Sequence, residues 1–573
     1  MKPWLASLLI AIAATGAVLA SLGPLGDGPG VTCDELYHVG LMGKPLVAAV
    51  RHQGIGFFTP ENVRRNFVWP EGGPPVQAPL GHWILGLTHH LFDPSPDNPA
   101  VISIAAARFA PALAFGLLVF LVGHWTWRRA GPLAGMVAGA SVALMPRVFA
   151  HAHFAALDMM TTTACAGALF ALTWAARTDD VRSCPGARHT WIRFALAGIV
   201  WGMAMLIRLH GVTLLPPVAL WLLWRSGVFR FLRHASQSSA ASAPFHPSWP
   251  LVWFSAGVIT LMLGWPWLWL NPVENLWRYV ASGSVRQAVH VFYLGQVWAD
   301  HQTPWHYPIL MFVWTVPLGF LLLGLCGVTS RLQSIRREGT GGGACVNGDF
   351  ALVALVGGFW LVVFAWPGIP VYDGVRLLLL VFPLAAVFAG LGAAWLAELA
   401  VVERVPRQIR IGLIGLLVLS QAAGVVLYHP YQLSYYNLLA GGLPGAERLG
   451  LEVTYWGDAV GEPLLAEAAR EAPGQPVLFG PNLAPFQAPA VQMVSPSLAA
   501  TETILVGWDA SRPETAAGCR YGVVYRRRAD LTSLDWLVED GAVVSERRCR
   551  GVWVARLVRL PRRVPPRRME PND

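Results

Sequence analysis

The chain has 573 residues, of which 54% are hydrophobic and only 13% are charged, whereas ordinary soluble domains carry about 25% charged residues. This shortage of charge excludes a simple cytosolic protein. Apolar runs of about 18 or more residues recur along the chain, as expected for a protein that crosses a membrane several times. The net charge of +9 comes without a basic, aromatic-rich domain, so nucleic acid is not an expected partner.

The hydrophobic segments predict about eleven membrane-spanning helices. The first segment, 4–22, follows Lys2 and could also be a signal peptide, and both alternatives send the next segment to the outside. The other predicted spans are 103–123, 131–146, 156–176, 191–207, 210–224, 250–270, 305–326, 350–366, 377–397 and 410–428.

Arginine residues near the span ends fall in alternate loops, which orients the chain by the positive-inside rule. The N-terminus is then cytoplasmic. The loops predicted to lie outside are 24–102, 147–155, 271–304 and 367–376, together with the C-terminal tail. We therefore expect a multi-pass protein of a bacterial inner membrane.

Hydropathy falls from about residue 429, where short β-like runs alternate with helical patterns. We predict two domains: a transmembrane domain at 1–428 and a small extracytoplasmic α/β domain at 429–573. Cys519 and Cys549 each precede a predicted strand there. A disulfide across neighbouring strands and two buried thiols are both compatible with the sequence.

Adjacent carboxylates, Asp34 and Glu35, come about a dozen residues after the first span, followed by Tyr37 and His38. Carboxylates near a membrane surface are repelled by anionic headgroups, so their position suggests proton abstraction or metal binding. The alternative is a hydrated turn.

A second acidic position, Asp158, lies at the outer end of the fourth predicted span. The helix dipole alone favours a carboxylate in a first turn, and a pocket wall is the alternative. His151 and His153 precede it and could ligate a metal with Asp158 or Asp34. Without an HExxH pattern, a dedicated zinc site is not expected, whereas a divalent ion held by carboxylate and phosphate stays open.

Cationic side chains at the predicted outer face run against the usual orientation bias, and an anionic lipid-linked substrate would explain them. Headgroup contacts and salt bridges are the alternative for each of them alone. They are Lys44, Arg51, Arg64, Arg65, Arg108, Arg147, Arg208 with His210, Arg278, Arg286 with His290, and Arg376 beside Asp373. The loop 271–304 is rich in aromatic residues, including Tyr293, and is expected to lie in the interface or to cover a cavity.

The order of these motifs resembles the GT-C superfamily of membrane glycosyltransferases, and within it the family 39 protein O-mannosyltransferases and aminoarabinose transferases. The motifs are Asp34-Glu35, 146–158, 202–208, 290–295 and 372–376. The resemblance covers the membrane region and implies a GT-C-like polytopic α-helical fold. It implies transfer of a sugar, with inversion, from a polyprenyl-phosphate carrier to an acceptor hydroxyl on the outer face.

Carried to this chain, the resemblance makes Asp34 the general base, with Glu35 and Asp158 positioning acceptor, donor or a metal ion. Outer arginine and histidine residues would bind the substrate and stabilise the leaving phosphate. The expected substrate-binding residues are Tyr37, His151, His153, Arg208, His210, Arg286, His290, Tyr293 and Arg376. The family often has lysine after the fifth span, where this chain has Arg208 and His210.

The expected partners are thus a polyprenyl-phosphate sugar donor, membrane lipid, and a lipid, glycan or protein acceptor. No cofactor is certain. A polytopic transporter or lipid flippase is the competing interpretation, although neither inverted repeats nor broken helices with intramembrane charges are evident. A third interpretation is a non-catalytic assembly factor.

Overall fold

A computed structural model describes most of the chain, namely residues 2–22, 28–67, 77–96, 98, 102–177, 188–225, 248–282, 288–338, 344–399, 405–531, 534 and 541–561. The helices of the N-terminal half are α1 (Pro3–Leu19), α2 (Cys33–Glu35), α3 (Lys44–Gln53), α4 (Pro60–Phe67), α5 (Leu80–Phe92), α6 (Ile104–Ala107), α7 (Phe109–Ala143), α8 (Pro146–His151), α9 (Leu157–Ala175), α10 (Arg188–Ile207) and α11 (Leu215–Arg225). A π-helical segment, Leu36–Gly43, joins α2 to α3.

The second half begins with α12 (Ser248–Gly264), α13 (Pro266–Leu270), α14 (Pro272–Ser282) and the hairpin of β1 (His290–Tyr293) and β2 (Gln296–Ala299). It continues with the helices α15 (Tyr307–Thr315), α16 (Leu318–Glu338), α17 (Ala344–Phe364), α18 (Val381–Glu398), α19 (Arg407–Leu427) and α20 (Gly442–Arg448).

Five described helices are long and apolar enough to cross a membrane: 104–143, 189–207, 318–336, 381–398 and 407–427. Shorter apolar helices occupy 3–19, 248–264 and 348–364. These helices coincide with predicted spans, which supports a multi-pass membrane protein, whereas the number of eleven spans stays a prediction.

One predicted span differs locally from the structure because of proline, and another proline marks a break that the sequence predicts. Helix α7 covers most of the two predicted spans 103–123 and 131–146, and the non-helical backbone at Gly131 (φ 87°), just before Pro132, divides it where the second span is predicted to begin. The predicted span 305–326 is interrupted instead: α15 ends at Thr315, and Val316 is extended before Pro317. The residue before proline avoids helical geometry, which explains this second break.

The helical core forms around α7, which packs extensively on α1 and α18. Helix α9 packs on both α7 and α10, and α10 packs on α12. Small residues allow the close approaches: a Cβ added to Gly390 of α18 would lie 2.3 Å from the carbonyl oxygen of Ala134 in α7. Such small-residue contacts are typical of helices that pack within a membrane.

The C-terminal region contains a five-stranded mixed sheet with strand order β4-β3-β5-β7-β6. Its elements are α21 (Glu462–Glu471), β3 (Pro476–Gly480), α22 (Gln487–Val494), α23 (Pro496–Ala500), β4 (Ile504–Gly507), β5 (Tyr521–Tyr525), α24 (Arg528–Leu531), β6 (Ala542–Cys549) and β7 (Val552–Arg559). Strand β3 runs parallel to β4 and β5, whereas β7 is antiparallel to β5 and β6. Helix and strand alternate as the sequence predicts, while the boundary at 429 stays a prediction.

The two C-terminal cysteines are free, buried thiols. Cys519 lies two residues before β5 and Cys549 ends β6, and strand β7 lies between β5 and β6. Tyr521 of β5 pairs with Arg559 of β7, whereas Cys549 pairs with Val552, seven residues away along β7. Seven residues along a strand span about 23 Å, far beyond the roughly 7 Å between Cα atoms that a disulfide allows. Of the two alternatives that the sequence leaves open, the structure shows the buried thiols.

Candidate active site

The acidic pair lies in a short helix whose start is fixed by a capping box. The Thr32 hydroxyl accepts from the Glu35 backbone N–H (3.3 Å), and the Glu35 carboxylate accepts from the Thr32 backbone N–H (2.9 Å). This places Asp34 in the first turn, where its side chain keeps 27% of its surface exposed. Its Oδ2 contacts Nη2 of Arg376 and lies 4.0 Å from Nε2 of His38. Asp34 is therefore a partly accessible carboxylate at the edge of a buried cluster.

Arg376 lies at the centre of this cluster and is itself buried. Its Nε donates to Asp158 (3.2 Å), its Nη1 to Asp373 (3.3 Å) and its Nη2 to Asp34. The guanidinium also lies over the ring of Trp456, 4.2 Å from its centroid. The turn before it has positive φ at Asp373 (56°) and at the following glycine (65°), which aims both charged side chains inward.

Asp158 joins a second arginine to the cluster. Arg208 Nη1 donates to Asp158 Oδ1 at 3.0 Å, and Asp158 Oδ2 is buried without a partner among the described residues. His210 lines the same small cavity as Asp158, Arg208 and Arg376. The structure thus brings together Asp34, Asp158, Arg208, His210 and Arg376, which are far apart in sequence.

Glu35 has other partners than those expected from the sequence. It is fully buried and pairs with Arg108 through both oxygens, at 2.7 and 2.9 Å. The Ala155 backbone N–H also donates to it (2.8 Å), and Arg108 donates to the carbonyl groups of Leu22, Pro29 and Gly30. Glu35 thus anchors the first loop to α7 and to the segment before α9.

The two predicted histidines near Asp158 lie in different surroundings. His153 shares hydrogen bonds with the Ser21 hydroxyl (2.8 Å) and the Phe149 carbonyl (2.9 Å). His151 is buried, and neither ring nitrogen has a partner among the described residues. Its ring lies 5.3 Å from that of Trp456, and burial lowers its pKa to about 4. Of the two, His151 has the nitrogen atoms available for a ligand.

The remaining predicted residues lie outside the Arg376 cluster or outside the described residues. The ring of Tyr37 packs on His38 and His82. His290 is half exposed and pairs with Asp530 (3.5 Å), whose hydrogen bond raises the pKa of the histidine. The Tyr293 hydroxyl shares a hydrogen bond with His306 (2.8 Å). Arg286 lies outside the described residues.

Arg527 is a buried member of the site that the sequence analysis missed. Its Nη1 donates to Asp373 (2.7 Å) and to the Tyr455 carbonyl, and its Nη2 donates to the His290 carbonyl (3.3 Å). It belongs to a run of three arginines directly after β5, which is the feature that could have drawn attention to it. The C-terminal region therefore contributes a charge to the site.

A metal site is not evident in the part of the chain that the structure describes: no group of three or more His, Cys, Asp and Glu side chains is arranged to hold an ion. The three aspartates of the cluster pair with arginine instead. The divalent ion left open by the sequence stays a prediction without an identified set of ligands.

Comparisons with known proteins agree with this architecture. Residues 76–243 match the model of the dolichyl-phosphate-mannose-protein mannosyltransferase family. The fold is similar to that of ArnT from Cupriavidus metallidurans in the apo state and bound to undecaprenyl phosphate, with a TM-score of 0.50, 14% identity, and coverage of 96% of this chain and 97% of that one. No curated protein matches the sequence significantly.

The archaeal oligosaccharyltransferase AglB from Archaeoglobus fulgidus, in complex with an inhibitory peptide and a dolichol-phosphate, is also similar. Its TM-score is 0.50 at 12% identity, over 91% of this chain and 69% of that one. At such low identities these similarities establish the fold. The resemblance seen in the motifs is confirmed at this level: a family model matches part of the chain, and the multi-helix fold is shared with ArnT and AglB.

Proposed function

We propose that this protein transfers a sugar from a polyprenyl-phosphate donor to an acceptor hydroxyl at the outer face of a bacterial inner membrane, with inversion. The partly exposed Asp34 carboxylate, paired with the buried Arg376, is the observation that carries the proposal. The similar structures contain undecaprenyl phosphate in ArnT and a dolichol-phosphate in AglB, which supports a polyprenyl carrier here.

Asp34 is the general base in this proposal. The acceptor oxygen forms a bond to the anomeric carbon while its proton passes to Asp34. The bond from the anomeric carbon to the phosphate oxygen breaks, and the lipid phosphate leaves with the electron pair. Because attack and departure occur on opposite faces of the sugar, the configuration inverts.

Arg208 is the proposed contact to the leaving phosphate. Its side chain is 12% exposed, and its one described carboxylate partner is Asp158, so donors of the guanidinium are available to a ligand. Arg376 differs because three carboxylates surround it. We assign Arg376 the positioning of Asp34. His210, which lines the cavity beside Arg208, and His151 are assigned further contacts to the substrate.

The proposed contacts at the periphery are Tyr37, His290 and Tyr293, while Glu35 and Arg108 hold the loop that presents Asp34. The sugar and the class of acceptor, whether lipid, glycan or protein, depend on the shape of the cavity. The C-terminal domain is proposed to lie on the outer side with Asp34, because its Arg527 pairs with Asp373, and Asp373 and Asp34 both contact Arg376.

The test is the substitution Asp34→Asn in the full-length protein. Loss of a general base lowers turnover by about 10²- to 10⁴-fold. Asparagine keeps the shape of the side chain but removes one of the three carboxylates around Arg376, so the unfolding temperature is measured beside turnover to show that the variant is folded. Purified protein is incubated with polyprenyl-phosphate lipids extracted from bacterial membranes, and loss of the sugar from the carrier is followed by mass spectrometry.

Asp509→Asn is the matched control, since Asp509 lies on an exposed turn of the C-terminal region and pairs with Arg512. This variant should transfer at the wild-type rate. Equal rates for D34N and the wild type would show that Asp34 is not the base.

A further inference from the structure

A second cavity lies at the predicted outer face, between the first loop and the C-terminal region. Its volume is about 540 Å³, within the range of roughly 300–1,000 Å³ that is usual for small-molecule sites. Residues from three helices line it: α3 supplies 44, 45, 47, 48, 51 and 52, α5 supplies 86, 89 and 90, and the start and body of α22 supply 486, 489, 490 and 493. These spacings place one face of each helix toward the same space.

This cavity is separate from the Arg376 cluster. Leu36 and Gly40 of the π-helical segment line it, whereas Asp34 and His38 lie two residues earlier and approach each other on the side of Arg376. Residues two apart in a helix do not share a face. The segment therefore separates the two sites, with the proposed base on one side and this cavity on the other.

One half of the cavity wall is cationic. Lys44 and Arg51 are two helical turns apart on the inward stripe of α3. Lys44 Nζ donates to the Asn98 carbonyl (2.5 Å), and Arg51 Nη1 lies 3.5 Å from Nδ1 of His90. Both positions are among the outer cations that the sequence marks as candidates for phosphate binding.

The other half of the wall is apolar and reaches the surface. Phe486, Ala490 and Met493 line it from α22. Met493 is 49% exposed and Leu41, from the π-helical segment, is 40% exposed, so the mouth of the cavity is apolar. A ligand that satisfies both halves has a negatively charged group beside Lys44 and Arg51 and an apolar chain that leaves along Met493.

We propose that this cavity binds an anionic phospholipid of the outer leaflet, with its phosphate between Lys44 and Arg51 and the start of its chain against Phe486 and Met493. This site goes beyond the proposed transfer reaction, since it lies across the π-helical segment from Asp34. The lipid would join the first loop to α22 and so hold the two outer elements together.

The test is native mass spectrometry of the full-length protein in detergent with dioleoylphosphatidylglycerol or dioleoylphosphatidylcholine. The anionic lipid should bind more tightly, because each charge-assisted contact contributes about tenfold in affinity. The double variant Lys44→Gln/Arg51→Gln should remove this preference. Ala490→Trp, which fills the cavity, should lower binding of both lipids. Arg65→Gln is the control because Arg65 is exposed on α4 and does not line the cavity.

Equal binding of the two lipids would overturn the proposal, as would a preference that survives the double variant. Inorganic phosphate is the probe for a free anion. If millimolar phosphate displaces the lipid completely and Ala490→Trp has no effect, the site binds a phosphate group alone and the lipid assignment is wrong. D34N should bind the lipid like the wild type, so failure of the transfer proposal would not alter this result.

Discussion

Three carboxylates meet at Arg376, and the charges of this buried group are balanced. Asp34, Asp158 and Asp373 contribute three negative charges, while Arg376, Arg208 and Arg527 contribute three positive charges. Asp530, which also pairs with Arg527, has His290 as a second partner. Burying an unpaired charge costs several kcal/mol, so the balance explains how so many ionised groups lie together. A phosphate that enters would disturb this balance and favour the release of Asp34 from Arg376.

His151 carries a prediction at the same scale because its buried ring nitrogens have no described partner. The groups that act on it are Asp158 and Asp34, which raise its pKa, and Arg376 and Arg147, which lower it. Burial lowers the pKa from 6.5 to about 4. The unfolded chain therefore takes up a proton below pH 6.5 that the folded chain does not, and the native state loses about 2 kcal/mol at pH 5 on this account.

The substitution His151→Leu should remove this acid sensitivity and reduce transfer, if the ring contacts substrate as proposed. Removing an unpaired buried polar group also stabilises the fold by about 1–2 kcal/mol at pH 7. The measurement is the unfolding temperature in detergent between pH 5 and pH 7.5, with the exposed His301→Leu as control. An unchanged pH dependence in H151L would contradict the burial argument.

The residue types and their order predicted that five site residues lie at the same face of the membrane, and the structure brings these residues together. They are Asp34, Asp158, Arg208, His210 and Arg376. The sequence did not reveal the partner of Glu35, because Arg108 is 73 residues away. The same holds for Arg527, which is 154 residues from Asp373. Pairings across such separations depend on packing that no local pattern encodes.

At the scale of elements, the contact between the π-helical segment and α5 sets the surroundings of Asp34. Gly43 and Gly86 touch through their backbones, and a Cβ added to Gly86 would lie 2.1 Å from the Gly43 carbonyl oxygen. One turn earlier on both elements, His38 Nδ1 and His82 Nε2 share a hydrogen bond of 3.0 Å. The close approach at the glycines thus permits the histidine contact behind Asp34.

Gly86→Ala is therefore expected to push the two elements apart, destabilise the protein by about 1–3 kcal/mol and lower transfer. The unfolding temperature and the transfer rate are measured together. Gly415→Ala in α19 is the control, since a Cβ there meets nothing within 4 Å. In that helix alanine should be neutral or stabilising by up to about 1 kcal/mol. Equal unfolding temperatures for the two variants would refute the packing argument.

Hydropathy predicted the positions of the apolar helices well because burial in lipid requires long apolar runs. Their breaks depend on single residues. The break at Gly131 falls at the predicted boundary between two spans, whereas the extended Val316 before Pro317 is a local backbone effect that a hydropathy average does not resolve. The order of strands in the C-terminal sheet likewise follows from long-range pairing.

At the scale of the whole molecule, the first loop and the C-terminal region are hydrogen-bonded to each other. The Gly30 N–H donates to the Asp458 carbonyl (2.8 Å), and the Cys33 N–H to the Trp456 carbonyl (3.4 Å). Arg527 reaches Asp373 in the loop before α18. These three segments must therefore lie on one side of the membrane, so an even number of spans separates the first loop from the C-terminal region.

Which side this is can be tested with a membrane-impermeant maleimide on intact cells. Ile55, which is 91% exposed in the first loop, and Arg336, exposed at the end of α16, are replaced by cysteine one at a time. The positive-inside rule places Arg336 in the cytoplasm, so I55C should be labelled in intact cells and R336C only after permeabilisation.

The five described native cysteines include four that are buried, and the unsubstituted protein gives their background. Labelling of R336C alone in intact cells would invert the topology and move Asp34 to the cytoplasmic face, where an outer-face reaction is impossible.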